Sequence, residues 1–363
     1  MTRGQTAPRS GHAVSGNPIS RAQRCALCAL AILTLLLAGG CKTMQHTTTS
    51  QPPLPVTLYP VGRFLFPVPQ GLEFQGRSIK INHMTIEETD WGRGDRAKQF
   101  RDMWEPVRDE GRKHYDVYKN TPVVRGGFVQ EDVSEHFGHP AVLLCYSAQN
   151  GAHWIDTFVA MPDWILRIKE EAVYEIGKEC LGDLKGTTLD FFRHYHTDRS
   201  DHPADLFWTG RGWVQGLKTR DEDVRASAIL PAKETTPQIS LRLRAYMIAT
   251  PDEPAKSITS IRKILDGNNI DLKLLRSRQR PFEGMPGLEE VYILSAYECG
   301  EYRSTLYAQW AIEVEAKNPQ RPAIYLEMSC NAAAQDEALR IWDAAIDNFT
   351  SIQAWNAKMK GGR

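Results

Sequence analysis

Neither sign of charge is in excess in this chain of 363 residues, which carries 44 Lys and Arg against 44 Asp and Glu. That balance argues against a nucleic-acid partner, and no basic stripe with interleaved aromatics is legible along the sequence. Catalytic signatures are missing as well. Past residue 40 there is no Gly-x-Ser-x-Gly elbow, no His-Glu-x-x-His, no Ser-x-x-Lys with its partners and no phosphate loop. Gly210-x-Gly212 followed by Gly216 misses the dinucleotide spacing by one position. Paired carboxylates such as Glu289 and Glu290 alternate along a strand and point to opposite faces, so they make poor acid/base partners. Long apolar runs are also lacking, and nothing past residue 40 is long enough to cross a bilayer. These absences point away from an enzyme and expect no cofactor.

What is present begins at the N-terminus. Arg3, Arg9, Arg21 and Arg24 precede an apolar run from Cys25 to Leu37, which ends in Ala38-Gly39-Gly40-Cys41. A basic segment, a short apolar core and small residues make an export signal. A cysteine directly after them resembles the signal of bacterial lipoproteins, in which Cys41 would become the lipidated first residue. Plain secretion is the rival reading. Lys42 in place of Asp, in lipoproteins of that kind, implies the outer membrane. Lys42 to Pro55, rich in Thr, Gln and Pro, suits a flexible tether. Loss of residues 1–40 removes four arginines and leaves 40 basic residues against 44 acidic, a net charge of −4.

About 300 residues beyond the tether exceed what one core usually holds, which predicts two domains. The patterning repeats accordingly. Ser78 to Ile86 reads as a strand, Arg96 to Arg108 as a helix with Phe100, Met103, Trp104 and Val107 inward, and Pro106 as its kink. Strands at Ala141 to Tyr146, His153 to Ala160 and Trp164 to Ile168 follow, joined first through Asn150-Gly151. Leu189, Phe192 and Tyr195 mark a closing helix. The second copy runs from the strand Ile239 to Met247 through a helix carrying Ile258, Ile261 and Leu265. Strands at Glu289 to Tyr297, Arg303 to Glu315 and Ala323 to Met328 come next, then a helix from Gln335 with Leu339, Trp342, Ile346, Phe349 and Ile352 inward. The expected organisation is a signal at 1–40, a tether at 41–55, an α+β domain at 56–200, a hairpin and connection at 201–237, and a similar α+β domain at 238–356. Lys218 to Arg225 reads as a solvated connection.

Of seven cysteines, Cys145, Cys180, Cys299 and Cys330 remain once the signal and Cys41 are set aside. In the repeat register Cys145 matches Cys299 and Cys180 matches Cys330, which predicts the bonds Cys145–Cys180 and Cys299–Cys330. Such loops contribute roughly 3–4 kcal/mol in the chain-entropy model. His194, His196, Asp198, Asp201 and His202 have metal-ligand chemistry, but a polar helix end leading into the turn Asp201-His202-Pro203 accounts for them. No metal is expected.

Two stretches carry a resemblance. Val61-Gly-Arg-Phe-Leu-Phe-Pro-Val-Pro-Gln-Gly71 resembles the opening of immunity proteins that neutralise phospholipase effectors of type VI secretion systems. Gly287-Leu-Glu-Glu290, Trp310, Pro322-x-Ile-x-Leu-Glu-Met328 and Leu339-x-x-Trp342-Asp343 resemble the same family's C-terminal domain, and Gly212-Trp-Val-Gln-Gly216 matches a glycine-flanked segment there. The resemblance implies a two-domain α+β claw, without catalysis, that grips a phospholipase. The residues themselves place the partner-binding candidates in loops between the copies, at 198–216 with Trp208 and Trp213, and at 276–287 with Arg276, Arg278 and Arg280. A periplasmic binding or scaffold lipoprotein is the alternative, and a hydrolase with scattered catalytic residues a third.

Overall fold

The computed structural model describes residues 52–118, 128–147, 152–173, 181–197, 206–218, 221–233, 237–247, 270–298, 301–312 and 322–361. Residues 1–40, Cys41, most of the tether, the Asn150-Gly151 turn and the helix expected at Ile258 to Leu265 lie outside the described residues.

A hairpin of β1 (Val56–Val61) and β2 (Phe64–Pro69) opens the described chain. Next come β3 (Glu73–Ile81), β4 (Met84–Asp90), helix α1 (Arg96–Tyr118), β5 (Val129–Asp132), the single turn α2 (Ser134–Phe137), β6 (Ala141–Ser147), β7 (Ala152–Ala160), β8 (Trp164–Val173) and α3 (Leu181–Arg193). Three two-residue strands, β9 (Tyr195–His196), β10 (Phe207–Trp208) and β11 (Trp213–Val214), form a small sheet of their own. The remainder is β12 (Glu222–Leu230), β13 (Ile239–Tyr246), β14 (Asp271–Gln279), β15 (Leu288–Glu298), β16 (Glu301–Ile312), β17 (Ala323–Asn331), α4 (Gln335–Asn348), β18 (Thr350–Ser351) and α5 (Ile352–Gly361).

Twelve of these strands make one antiparallel sheet. Outward from the β3–β12 pair the order is β3-β4-β8-β7-β6-β5 one way and β12-β13-β17-β16-β15-β14 the other. The α+β expectation stands, and strands from both expected domains lie in this one sheet. The join is β12, part of which was expected to be a solvated connection. Its Val224, Ala226 and Ala228 are buried while Asp223 and Arg225 alternate outward. Two of those inward residues are alanines, so the period-2 signal is weak beside the charges. The run from Ser78 to Ile86 is likewise two strands, because Asn82 and His83 adopt φ of 50° and 67° and turn the chain.

The main core lies on one sheet face, against α3, α4 and the β1–β2 hairpin. On the other face α1 seats Phe100 and Trp104 on Leu144, Phe158 and Ile165. Asp95 caps that helix by accepting from the amides of Ala97 at 2.9 Å and Lys98 at 3.3 Å. Pro106 sits inside the helix, which continues well past the expected end near Arg108.

Phe64, Phe282, Trp310 and Phe349 form an aromatic knot with centroid separations of 5.2 to 6.2 Å. Gly287 lets the backbone close over it. A Cβ there would meet the Arg280 carbonyl oxygen at 2.4 Å and Ile312 Cδ1 at 2.3 Å. Gly287→Ala is therefore expected to cost about 1–3 kcal/mol through overpacking, read as a lower midpoint in urea unfolding at unchanged slope.

Candidate functional site

Arg276, Arg278 and Arg280 do not lie free in a loop. Arg276 and Arg278 are on β14, where a bulge between Leu274 and Arg276 disturbs the alternation. All three converge on Glu289, whose side chain is fully buried. Arg276 Nη1 donates to Oε1 at 2.9 Å, Arg278 Nε to Oε2 at 2.6 Å and Arg280 Nη1 to Oε2 at 3.2 Å. Trp342 Nε1 adds a bond to Oε1 at 3.1 Å. Arg276 also reaches Asp343 at 2.5 Å and Arg280 reaches Asp347, both from α4. Burial works against the Glu289 charge, but the hydrogen bonds from Arg278 and Arg276 outweigh it and hold the carboxyl below the usual Glu value. The arginines clamp helix to sheet.

Trp208 and Trp213 are similarly committed. Trp213 is buried with His196 stacked on it at 4.3 Å, and Trp208 is partly buried, bridged to Gly62. The turn between them is held by Glu88 of β4. Tyr195 Oη donates to that carboxylate at 2.8 Å, Thr209 Oγ1 at 2.6 Å and the Arg211 amide at 2.6 Å. Gly210 has φ of 135°, a backbone conformation that calls for glycine, and a Cβ on it would lie 1.8 Å from the Arg77 guanidinium, the end of a long side chain that would have to move aside.

Of the His and Asp cluster, His194 Nδ1 lies 2.8 Å from the Gln215 carbonyl, while Asp198, Asp201 and His202 lie outside the described residues. Cys145 and Cys330 are buried, and no disulfide joins described cysteines. Burial pushes the Cys330 thiol up to about 11. Cys180 and Cys299, their predicted partners, lie outside the described residues.

A different surface combines charge with access, on the sheet face that α1 covers at one end. Its centre, on β3, β12, β13 and β17, has no described helix packed on it. Here the alternation that buries Ile79, Val224, Leu243 and Leu326 turns Lys80, Arg225, Arg242 and Arg244 outward, all four exposed. Across the strands Lys80 faces Asp223, which faces Tyr246; Arg225 faces Arg244, which faces Tyr325; and Arg242 faces Glu327. Two arginines directly opposite repel. Asp223 stands between them, accepting from Arg225 Nη2 at 2.7 Å and lying 3.6 Å from Arg244 Nε. Burial opposes its charge, yet the bond from Arg225 and the charges of Arg244, Arg225 and Lys80 keep its carboxyl below the usual Asp value. Glu327 moves the other way, raised by burial against the pull of Arg242 and Arg244. Arg244 also covers the Tyr246 ring at 4.6 Å, and Tyr246 stacks on Tyr325 at 5.7 Å. Sequence reading missed this group because its members come from segments as distant as Lys80 and Arg244. The strongest local sign was Leu241-Arg-Leu-Arg244, which has the alternation of a strand with one charged face.

No protein-family model and no curated protein matches the chain. Three solved structures share its fold. A chain of the Tle4–Tli4 complex superposes with a TM-score of 0.60 at 16% identity, over 82% of this chain and 98% of that one. The apo immunity protein TplEi of the type VI secretion system of Pseudomonas aeruginosa gives 0.57 at 14% identity, over 82% and 97%. TplEi complexed with an "L" peptide gives 0.55 at 15%, over 82% and 98%.

Proposed function

We propose that this protein is an immunity protein: a lipid-anchored, periplasm-facing inhibitor that binds a phospholipase effector of a type VI secretion system and protects its producer and kin. The observation that carries the reading is a likeness of fold over 97% of TplEi, with motifs at both ends of the chain that resemble the same family. The Tle4–Tli4 complex supports an effector as partner. The shared strand order on either side of β3–β12 supports an internal duplication, whose halves we read as the arms of a claw. A non-enzymatic role fits the sites above, since the arginines around Glu289 and the hydroxyls around Glu88 are engaged in holding elements together.

Anchoring at Cys41 fits a target that attacks membrane from the periplasm, because acylation beyond a single chain gives stable attachment. The test is export of a phospholipase effector of the producing cell's own type VI secretion system, with and without the protein in the same cell. Survival is expected only with it. Cys41→Ser is expected to leave binding to the lipase unchanged in solution and to weaken survival. Equal killing with and without the wild-type protein refutes the immunity reading, and ester turnover by the purified protein revives an enzyme.

A further inference from the structure

We propose that the open face around Lys80, Arg225, Arg242 and Arg244 is the surface on which this protein receives its effector, and that the effector meets it with an acidic patch of discrete carboxylates. The proposal rests on the inhibitor reading and deepens it.

Charge complementarity decides the occupant. Four exposed cations gather on three adjacent strands, with Asp223 as the one acid among them and Glu327 on the next strand. Keeping Arg225 opposite Arg244 works against the stability of the free protein, and carboxylates from outside would relieve it. Guanidinium groups bind such carboxylates in two-pronged, oriented fashion. Arg244 is already braced on Tyr246, itself stacked on Tyr325, so less side-chain freedom is lost on binding. Tyrosine and arginine are also the residues that carry most binding energy at protein interfaces. The stripe spans only roughly 10 Å across its strands. With Asp223 and Glu327 set into it, a continuous polyphosphate would meet repulsion that separate carboxylates can avoid. Among the described residues no exposed large apolar side chain lies on β3, β12, β13 or β17 to enter a lipid surface; the two tyrosines are partly buried in their stack.

The experiment compares the mature wild-type protein with Arg225→Glu/Arg242→Glu and with the milder Arg225→Gln/Arg242→Gln, using a phospholipase effector of the producing cell's type VI secretion system as probe. Both pairs are solvent-facing, so melting temperatures within a few degrees of wild type are expected. The Glu pair is expected to weaken lipase binding at least 100-fold and the Gln pair about tenfold. The wild-type association rate should fall with added salt more steeply than that of either variant. Unchanged affinity in both folded variants, with wild type binding tightly, overturns the proposal and leaves the immunity reading intact. No binding by wild type refutes the immunity reading, and this proposal with it. Wild-type binding to vesicles containing phosphatidylglycerol that the Glu pair abolishes, with lipase affinity untouched, assigns the face to membrane instead.

Discussion

Glu289→Ala is expected to lower unfolding stability by about 3–5 kcal/mol, the usual consequence of removing one partner from a buried charge cluster. Three guanidinium groups and the Trp342 indole direct bonds at this one carboxylate. Without it, Arg276 and Arg280 keep Asp343 and Asp347, but Arg278 loses its 2.6 Å bond and the indole its own. Glu289→Gln should fall between, because the amide oxygen can still accept while the charge is gone. The readout is the urea midpoint at constant slope, beside the amount of protein recovered from cells. Charge reversal at Arg276, Arg278 or Arg280 will therefore reduce protection by depleting folded protein. If those reversals abolish protection while the melting temperature stays at the wild-type value, the clamp is not their role and the arginines touch the partner.

The adjacent residue behaves in the opposite way. Glu290 is buried on the other face, where Ser277 Oγ lies 3.5 Å from its Oε1 and its Oε2 has no partner among the described residues. Burial lifts its carboxyl to about 7, and burial alone does the same to Glu170 of β8, whose Oε2 is also unpartnered among those residues. In the unfolded chain both ionise near the ordinary Glu value. Between that value and 7 the folded protein holds more protons than the unfolded one, so stability falls as pH rises through this window. Each group contributes a difference of about 3 kcal/mol at most, since a tenfold change in proton affinity is worth about 1.4 kcal/mol. That contribution is fully present below the ordinary Glu value and is lost as pH rises through 7. A melting temperature higher at pH 5.5 than at pH 8 is expected, and Glu290→Gln should stabilise the protein at pH 8 while flattening the profile. A wild-type profile already flat from pH 5 to 8 would show that neither carboxyl is held protonated.

These neighbours also show what was legible in the sequence. Alternation alone sends Glu289 and Glu290 to opposite faces, and the strands around Ile239, Trp310 and Leu326 could be read in the same way. What alternation cannot state is pairing across long separations. Arg276, Arg278 and Arg280 looked available because the acids that engage them lie on another strand and on α4, and the β14 bulge made a strand resemble a loop. β12 was hidden by alanines among charges. The basic stripe needed three strands placed side by side before it existed at all, so composition near neutrality was a poor guide to local field.

The pairing of β3 with β12 sets the order in which the protein can be completed. Ile79 lies across from Val224, so a chain emerging from its N-terminus must wait for about 145 further residues before that contact closes, a long-range pairing of the kind that slows folding. Until then the long inner edge of β3 presents unsatisfied amides and carbonyls, the feature that invites strand addition by other chains. The interval before Leu230 arrives is therefore when the nascent protein is most open to strand addition along that edge.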